Sequence, residues 1–113
     1  MTKIEAIIRP ERLEEVKGAL EDQGIIGITV SEVQGSGRQR GYTHSYRGNE
    51  YRVSLISKVK IEIVVEDGRV EHAIEAIGGA ARTGEVGDGK LFVIPVQEVV
   101  RIRTGDRGEP ALS

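Results

Sequence analysis

KVKIEIVVEDGRVEHAIEAI, Lys58 to Ile77, is the stretch that decides the fold. Val59, Ile61, Ile63 and Val65 alternate strictly with other residues, the period of a strand with one buried face. Val70, Ala73, Ile74 and Ile77 then follow at i, i+3, i+4 and i+7, the spacing of an amphipathic helix. The same strand-then-helix grammar opens the chain. Lys3–Arg9 alternates with Ile4, Ala6 and Ile8 on one side, and Pro10 stands where a helix tolerates its missing N–H. Leu13, Val16 and Leu20 fall at helical spacing, and Gly24 supplies a C-terminal stop. Ile26, Ile28 and Val30 begin a second strand that runs to about Gln34. Leu91–Val96 is the fourth strand, with Pro95 near its end marking a sheet edge, and Val99–Arg103 is a short fifth extended piece. Strand-helix-strand twice over is the split βαβ pattern: an α+β, ferredoxin-like βαββαβ sandwich. Residues 1–113 form a single domain. Two helices cover one face of the sheet, and Lys58, Lys60, Glu62 and Val64 lie on the other. A half-charged open face of this kind is expected to pack against other copies of the chain.

Composition removes several function classes. The net charge of −2 gives no global field for nucleic acid or anionic membrane. There is no cysteine, hence no disulfide frame, thiolate zinc site or thiol nucleophile. No apolar run reaches the ~18 residues of a membrane span and no signal peptide opens the chain, so a cytoplasmic protein without membrane insertion is expected. His44 and His72 are far apart and read as solvated side chains, and no nucleophile stands beside a base, so no catalysis is expected.

Two segments carry the functional signal. Residues 82–90, RTGEVGDGK, place three glycines and a lysine in one loop. Glycines let main-chain N–H groups converge on an anion, and Lys90 adds a point charge. Arg101 and Arg103 alternate along the expected extended piece, face one way, and suit bidentate contacts to polyphosphate. Gly84 to Lys90 fits most of a P-loop, but Leu91 stands where the Mg²⁺-binding Ser/Thr belongs, and the loop runs from helix to strand rather than the reverse. The second segment, about 36–56, is a long polar loop holding Tyr42, Tyr46 and Tyr51 among Arg38, Arg40, Arg47 and Arg52, the composition of a mobile partner-binding arm. An RNA-binding module of the same topology would carry aromatics where Lys58, Lys60 and Glu62 stand, and a small amino-acid-binding regulatory domain would leave Lys90, Arg101 and Arg103 without a purpose.

From about Lys3 to Asp106 the chain resembles the PII signal transduction proteins, the nitrogen regulators, through IEAIIRP (4–10), TVSEVQGSGRQRG (29–41), YRGNEY (46–51), KVKIEIVV (58–65), ARTGEVGDGK (81–90) and VRIRTG (100–105). The resemblance implies a homotrimer with a cleft between subunits where ATP and ADP compete. It implies that the phosphates meet Gly87, Asp88, Gly89 and Lys90, with Arg101, Arg103 and the neighbour's Arg38, and that adenine and ribose lie near Ile7, Thr29, Glu62 and Val64. It implies that 2-oxoglutarate joins MgATP, chelating Mg²⁺ together with Gln39, among Gly37, Arg40, Gly41 and Gly87, with Lys58 on its carboxylate. The long loop would then choose partners: ammonium transporters, nitrogen-assimilation enzymes or their modifying enzymes. Tyr51 matches the tyrosine that some members have uridylylated or adenylylated. The chain departs from common patterns at Ser36, Arg40 and Asn49, the last replacing a serine phosphorylated in some members. Two alternatives share the cleft: a PII-like regulator of another effector, and a slow ATPase. The C-terminal segment spans about 97–113.

Overall fold

The computed structural model describes residues 1–36, 43–46, 49–52 and 55–113; for 43–46 and 49–52 it describes the backbone alone. Strand β1 (Thr2–Ile8) leads through a 3-10 turn at Pro10–Arg12 into α1 (Leu13–Asp22). Then come β2 (Thr29–Gly35), a hairpin of β3 (Thr43–Tyr46) and β4 (Asn49–Arg52), and the long β5 (Ile56–Val65). A second 3-10 turn, Asp67–Arg69, opens α2 (Val70–Ala81), and β6 (Lys90–Pro95) follows. The main sheet has the order β2-β5-β1-β6, with every pairing antiparallel. With the hairpin as an insertion, this is the ferredoxin-like βαββαβ arrangement.

The alternation of β1 and β5 explains the layers. Ile4 lies opposite Ile63 and Ala6 opposite Ile61, so the apolar sides of the two central strands coincide. They bury against Val16 and Leu20 of α1 and Ala73, Ile77 and Ala81 of α2. Leu20, Ile4 and Ile61 are fully buried. Each such side chain contributes about 1.5–3 kcal/mol when removed from water. α1 ends as its glycine requires: Gly24 has φ +77°, its N–H donates to the Glu21 oxygen, and Ile25 N–H returns to the Leu20 oxygen. The Arg69 guanidinium donates to the Gln23 main-chain oxygen and so ties the start of α2 to the end of α1.

The sheet's open face is a lattice of paired charge beside apolar surface. Glu5 stands opposite Glu62, a repulsive pairing on its own. Lys3 Nζ lies 2.9 Å from Glu5 and 2.8 Å from Glu62, and Lys60 Nζ lies 3.4 Å from Glu62. Hydrogen bonding to Lys3 holds the Glu62 carboxyl below its ordinary value, and Glu62 raises Lys3 in return. Phe92 and Ile94 of edge strand β6 share this face and are exposed.

Three boundaries differ from the sequence reading. β2 begins at Thr29, because Ile26 and Ile28 lie in the irregular stretch between the turn after α1 and the strand, and Ile26 is 79% exposed. The long polar segment contains the β3–β4 hairpin, with Thr43 opposite Arg52 and Tyr46 opposite Asn49. Val99–Arg103 is no strand. Val100 makes one isolated bridge to Arg107, and the chain turns over 102–104, closed by Gly105 N–H to the Arg101 oxygen. Extended backbone persists where a neighbouring strand satisfies it; here local turn bonds do so instead.

Replacing Ile61 by Ala is expected to lower unfolding stability by about 2–5 kcal/mol in a urea titration. The same change at Ile102, which is 99% exposed, is expected to stay within about 0.5 kcal/mol.

Candidate functional site

At one end of the sheet four chain segments converge. β2 leaves it at Gly35 and β5 enters at Ile56, opposite each other; β1 ends beside Val59; and β6 starts with Lys90 opposite Ile7. The loop between α2 and β6 therefore sits at the same end as the long insertion after β2.

That loop is braced by one carboxylate. Asp88 Oδ2 accepts the N–H groups of Thr83 and Gly84, each at 2.8 Å. Oδ1 accepts the Thr83 hydroxyl at 2.5 Å and Arg9 Nε at 3.1 Å. Thr83 Oγ1 accepts Glu85 N–H at 3.1 Å, and Arg9 Nη2 donates to the Val86 oxygen at 2.9 Å. The Thr83 hydroxyl contributes most to holding the Asp88 carboxyl far below the usual carboxylate range, helped by the two main-chain N–H groups and Arg9. Arg9 also neutralises a negative charge that would otherwise repel an anion at the loop.

Gly89 fixes the loop against the sheet. Its φ is +98°, and a Cβ there would stand 1.7 Å from the Ile7 carbonyl oxygen, so no larger residue fits. Lys58 rises from β5 toward the same place, its Nζ donating to the Gly87 oxygen at 2.5 Å. Only 9% of Lys58 is exposed, although its strand position puts it on the open face. Burial, and then the charge of Arg9, lowers its pKa below the ordinary lysine value.

Two hollows flank this centre. One of about 200 Å³ lies beneath the loop between Ile7, Ile77, Ala81 and Lys90, and one of about 550 Å³ lies beside Lys58, against Pro10, Glu32, Gln34 and Ser57. Among the described residues no group of three or more His, Asp or Glu side chains is placed to hold a metal, and no helix is long and apolar enough to cross a membrane.

The structure brings Gly87, Asp88, Gly89, Lys90, Ile7 and Lys58 together. Thr29 lies directly opposite Glu62, with Val64 two residues further along the same open face. Arg101 and Arg103 do not alternate along a strand as expected. Arg101 Nη1 lies 2.6 Å from Asp106 Oδ2, and Nη2 donates to the main-chain oxygens of Pro110 and Ser113. Arg103 is exposed in the turn. Gly37, Arg38, Gln39, Arg40 and Gly41 lie outside the described residues, as does the side chain of Tyr51. Sequence reasoning missed Arg9 and Thr83. For Thr83 a local signal existed, since Thr and Asp flanking glycines favour side-chain to main-chain bonds.

The fold and the candidate site together define a ferredoxin-like sandwich with a braced, glycine-rich loop at the sheet end from which a long insertion departs. Residues 1–106 match the family model described as Nitrogen regulatory protein P-II. The chain is 62% identical to the Nitrogen regulatory protein P-II of Azospirillum brasilense over 99% of its own length and all of the relative's. It is 57% identical to the protein of that name from Synechocystis, with the same coverage. Its backbone is similar to the crystal structure of Arabidopsis thaliana PII bound to citrate, with a TM-score of 0.80, 46% identity, and coverage of 98% of this chain and 88% of that one. The chain belongs to the nitrogen regulatory protein P-II family, whose members here are named as regulators and not as enzymes.

The brace sets a pH dependence. A carboxyl depressed in the folded state stabilises above its unfolded pKa and loses that contribution as pH falls through the folded value. Exchange of the Thr83 and Gly84 amide protons, followed by NMR, is therefore expected to stay slow through the ordinary aspartate value of 3.8 and to speed up only well below it. In Asp88→Ala the same amides are expected to lose protection even at neutral pH.

Proposed function

We propose that the chain is a sensor of the adenylate state and of 2-oxoglutarate, working as a homotrimer in the cytoplasm. The observation that carries this reading is the braced Gly87–Lys90 loop, with Lys58 against it, at the sheet end from which the long insertion departs. Loop N–H groups and Lys90 would hold the phosphates of ATP or ADP, joined by Arg101, Arg103 and a neighbour's Arg38. Ile7, Thr29, Glu62 and Val64 would meet adenine and ribose. The exposed Phe92 and Ile94 beside the paired charges of the open face supply the apolar surface that a trimer would cover.

The second ligand follows from charge. A dicarboxylate beside a triphosphate is repelled unless a cation lies between them. Mg²⁺ favours hard oxygen ligands, and phosphate oxygens with the Gln39 amide oxygen are of that kind. Lys58, at the edge of the larger hollow, would take the other carboxylate, with Gly37, Arg40, Gly41 and Gly87 around it. A relative that binds citrate, another small polycarboxylate, supports this kind of ligand. Ligand state would be displayed by the insertion at 36–56 to an ammonium transporter, a nitrogen-assimilation enzyme or an enzyme that modifies Tyr51.

Calorimetric titration of 2-oxoglutarate tests the reading. Binding is expected with MgATP and not with ADP or alone, and equal affinity in all three would sink it. Lys58→Met is expected to abolish the coupling while sparing most of the ATP affinity. Arg103→Ala is expected to weaken ATP about 10- to 100-fold, the loss of one charge-assisted contact.

A further inference from the structure

Within the proposed phosphate site, Arg101 is already supplied by the chain itself with a carboxylate, a hydroxyl and two main-chain oxygens. Its Nη1 donates to Asp106 Oδ2 at 2.6 Å and to Thr104 Oγ1 at 3.4 Å. Its Nη2 donates to the Pro110 oxygen at 2.7 Å and to the Ser113 oxygen at 2.5 Å. A guanidinium has five N–H donors, so these contacts commit all but Nε. The main chain closes the same knot: Arg101 N–H donates to the Asp106 oxygen, Gly108 N–H to the Val99 oxygen and Ala111 N–H to the Gly108 oxygen. The segment from Gly105 to Ser113 is thus folded back around one side chain, and most of it is exposed.

We infer that this C-terminal segment is an internal competitor for Arg101, docked when the phosphate site is empty and released when a nucleotide takes the guanidinium. The inference rests on the nucleotide reading of the site. A bidentate grip on phosphate needs two parallel N–H groups, and Nε alone cannot provide them. Phosphate and the segment therefore exclude each other at Arg101. The Asp106 carboxylate and the main-chain oxygens imitate the acceptors that a phosphate would bring. Linkage makes the exclusion reciprocal: nucleotide loosens the segment, and anything that captures the loosened segment tightens nucleotide. The chain would then display its ligand state at a second place, apart from the long insertion.

Amide exchange of Gly108 and Ala111 by NMR, on the full chain with and without MgATP, tests it. Without nucleotide both amides are expected to exchange slowly in the wild type and faster in Arg101→Ala, a comparison that needs no ligand. Unchanged exchange in that variant would overturn the docked segment. With saturating MgATP the wild-type amides are expected to exchange faster, and Asp106→Asn is expected to tighten ATP about two- to fivefold, the scale of one partly exposed ion pair. Equal or slower exchange with ATP bound, or unaltered ATP affinity in Asp106→Asn, would overturn the competition and leave the nucleotide reading intact. No ATP binding by the wild type would overturn the nucleotide reading and the competition together, with the docking still decided by Arg101→Ala.

Discussion

The core, the open face and the candidate site all hang on the antiparallel pairing of β1 with β5. These two strands occupy the centre of the sheet, and their register places Ile4, Ala6, Ile61 and Ile63 on the side of both helices. A slip of one residue would turn that apolar set outward and bury the lysines and glutamates of the other side. The same register puts Glu5 opposite Glu62 and lets Lys3 reach both. It also brings the end of β1 to the place where Gly89 must lie against it and from which Lys58 rises. Core, open face and site are therefore consequences of one alignment.

The site takes its shape from the sheet rather than from the loops. Lys58 belongs to a central strand and Ile7 to the other, while Arg9 directly follows β1. The glycine-rich loop is pressed onto them by Gly89 and tied by Asp88 and Arg9. A cationic side chain held this way is nearly buried, and that burial is the first cause of the lowered pKa of Lys58. Groups positioned in advance lose less conformational freedom on binding. Arg101 shows the opposite arrangement, with its Nη1 and Nη2 donors already occupied by nearby chain.

How much of this was legible depended on whether an element has a dry side. β1, β5, α1 and α2 each bury one face, so their periods stand in the sequence. The β3–β4 hairpin, built from Thr43–Tyr46 and Asn49–Arg52, has no apolar alternation to read. Ile26 and Ile28 do alternate with Val30, yet the chain there is an irregular link from α1 to β2, and periodicity cannot distinguish a strand from a link that happens to carry isoleucines. Val99–Arg103 has a strand-like pattern but, among the described residues, no strand to pair with: a pattern can suggest a face, but not whether a neighbouring strand exists. At the site, the glycines and Lys90 were visible as composition. The Arg9–Asp88 bond was not, because it joins residues 79 positions apart.

The Asp88 brace has a consequence for how such a loop can change over generations. Its carboxylate reaches back across five positions to Thr83 and four to Gly84, while the next residue is wedged against Ile7. Exchanging the side chains of Glu85 or Val86 leaves that span intact. Inserting or deleting a residue within it would move the carboxylate off its donors or the glycine off the strand. The segment is therefore a ruler: free to vary in letters at its exposed positions, and fixed in length.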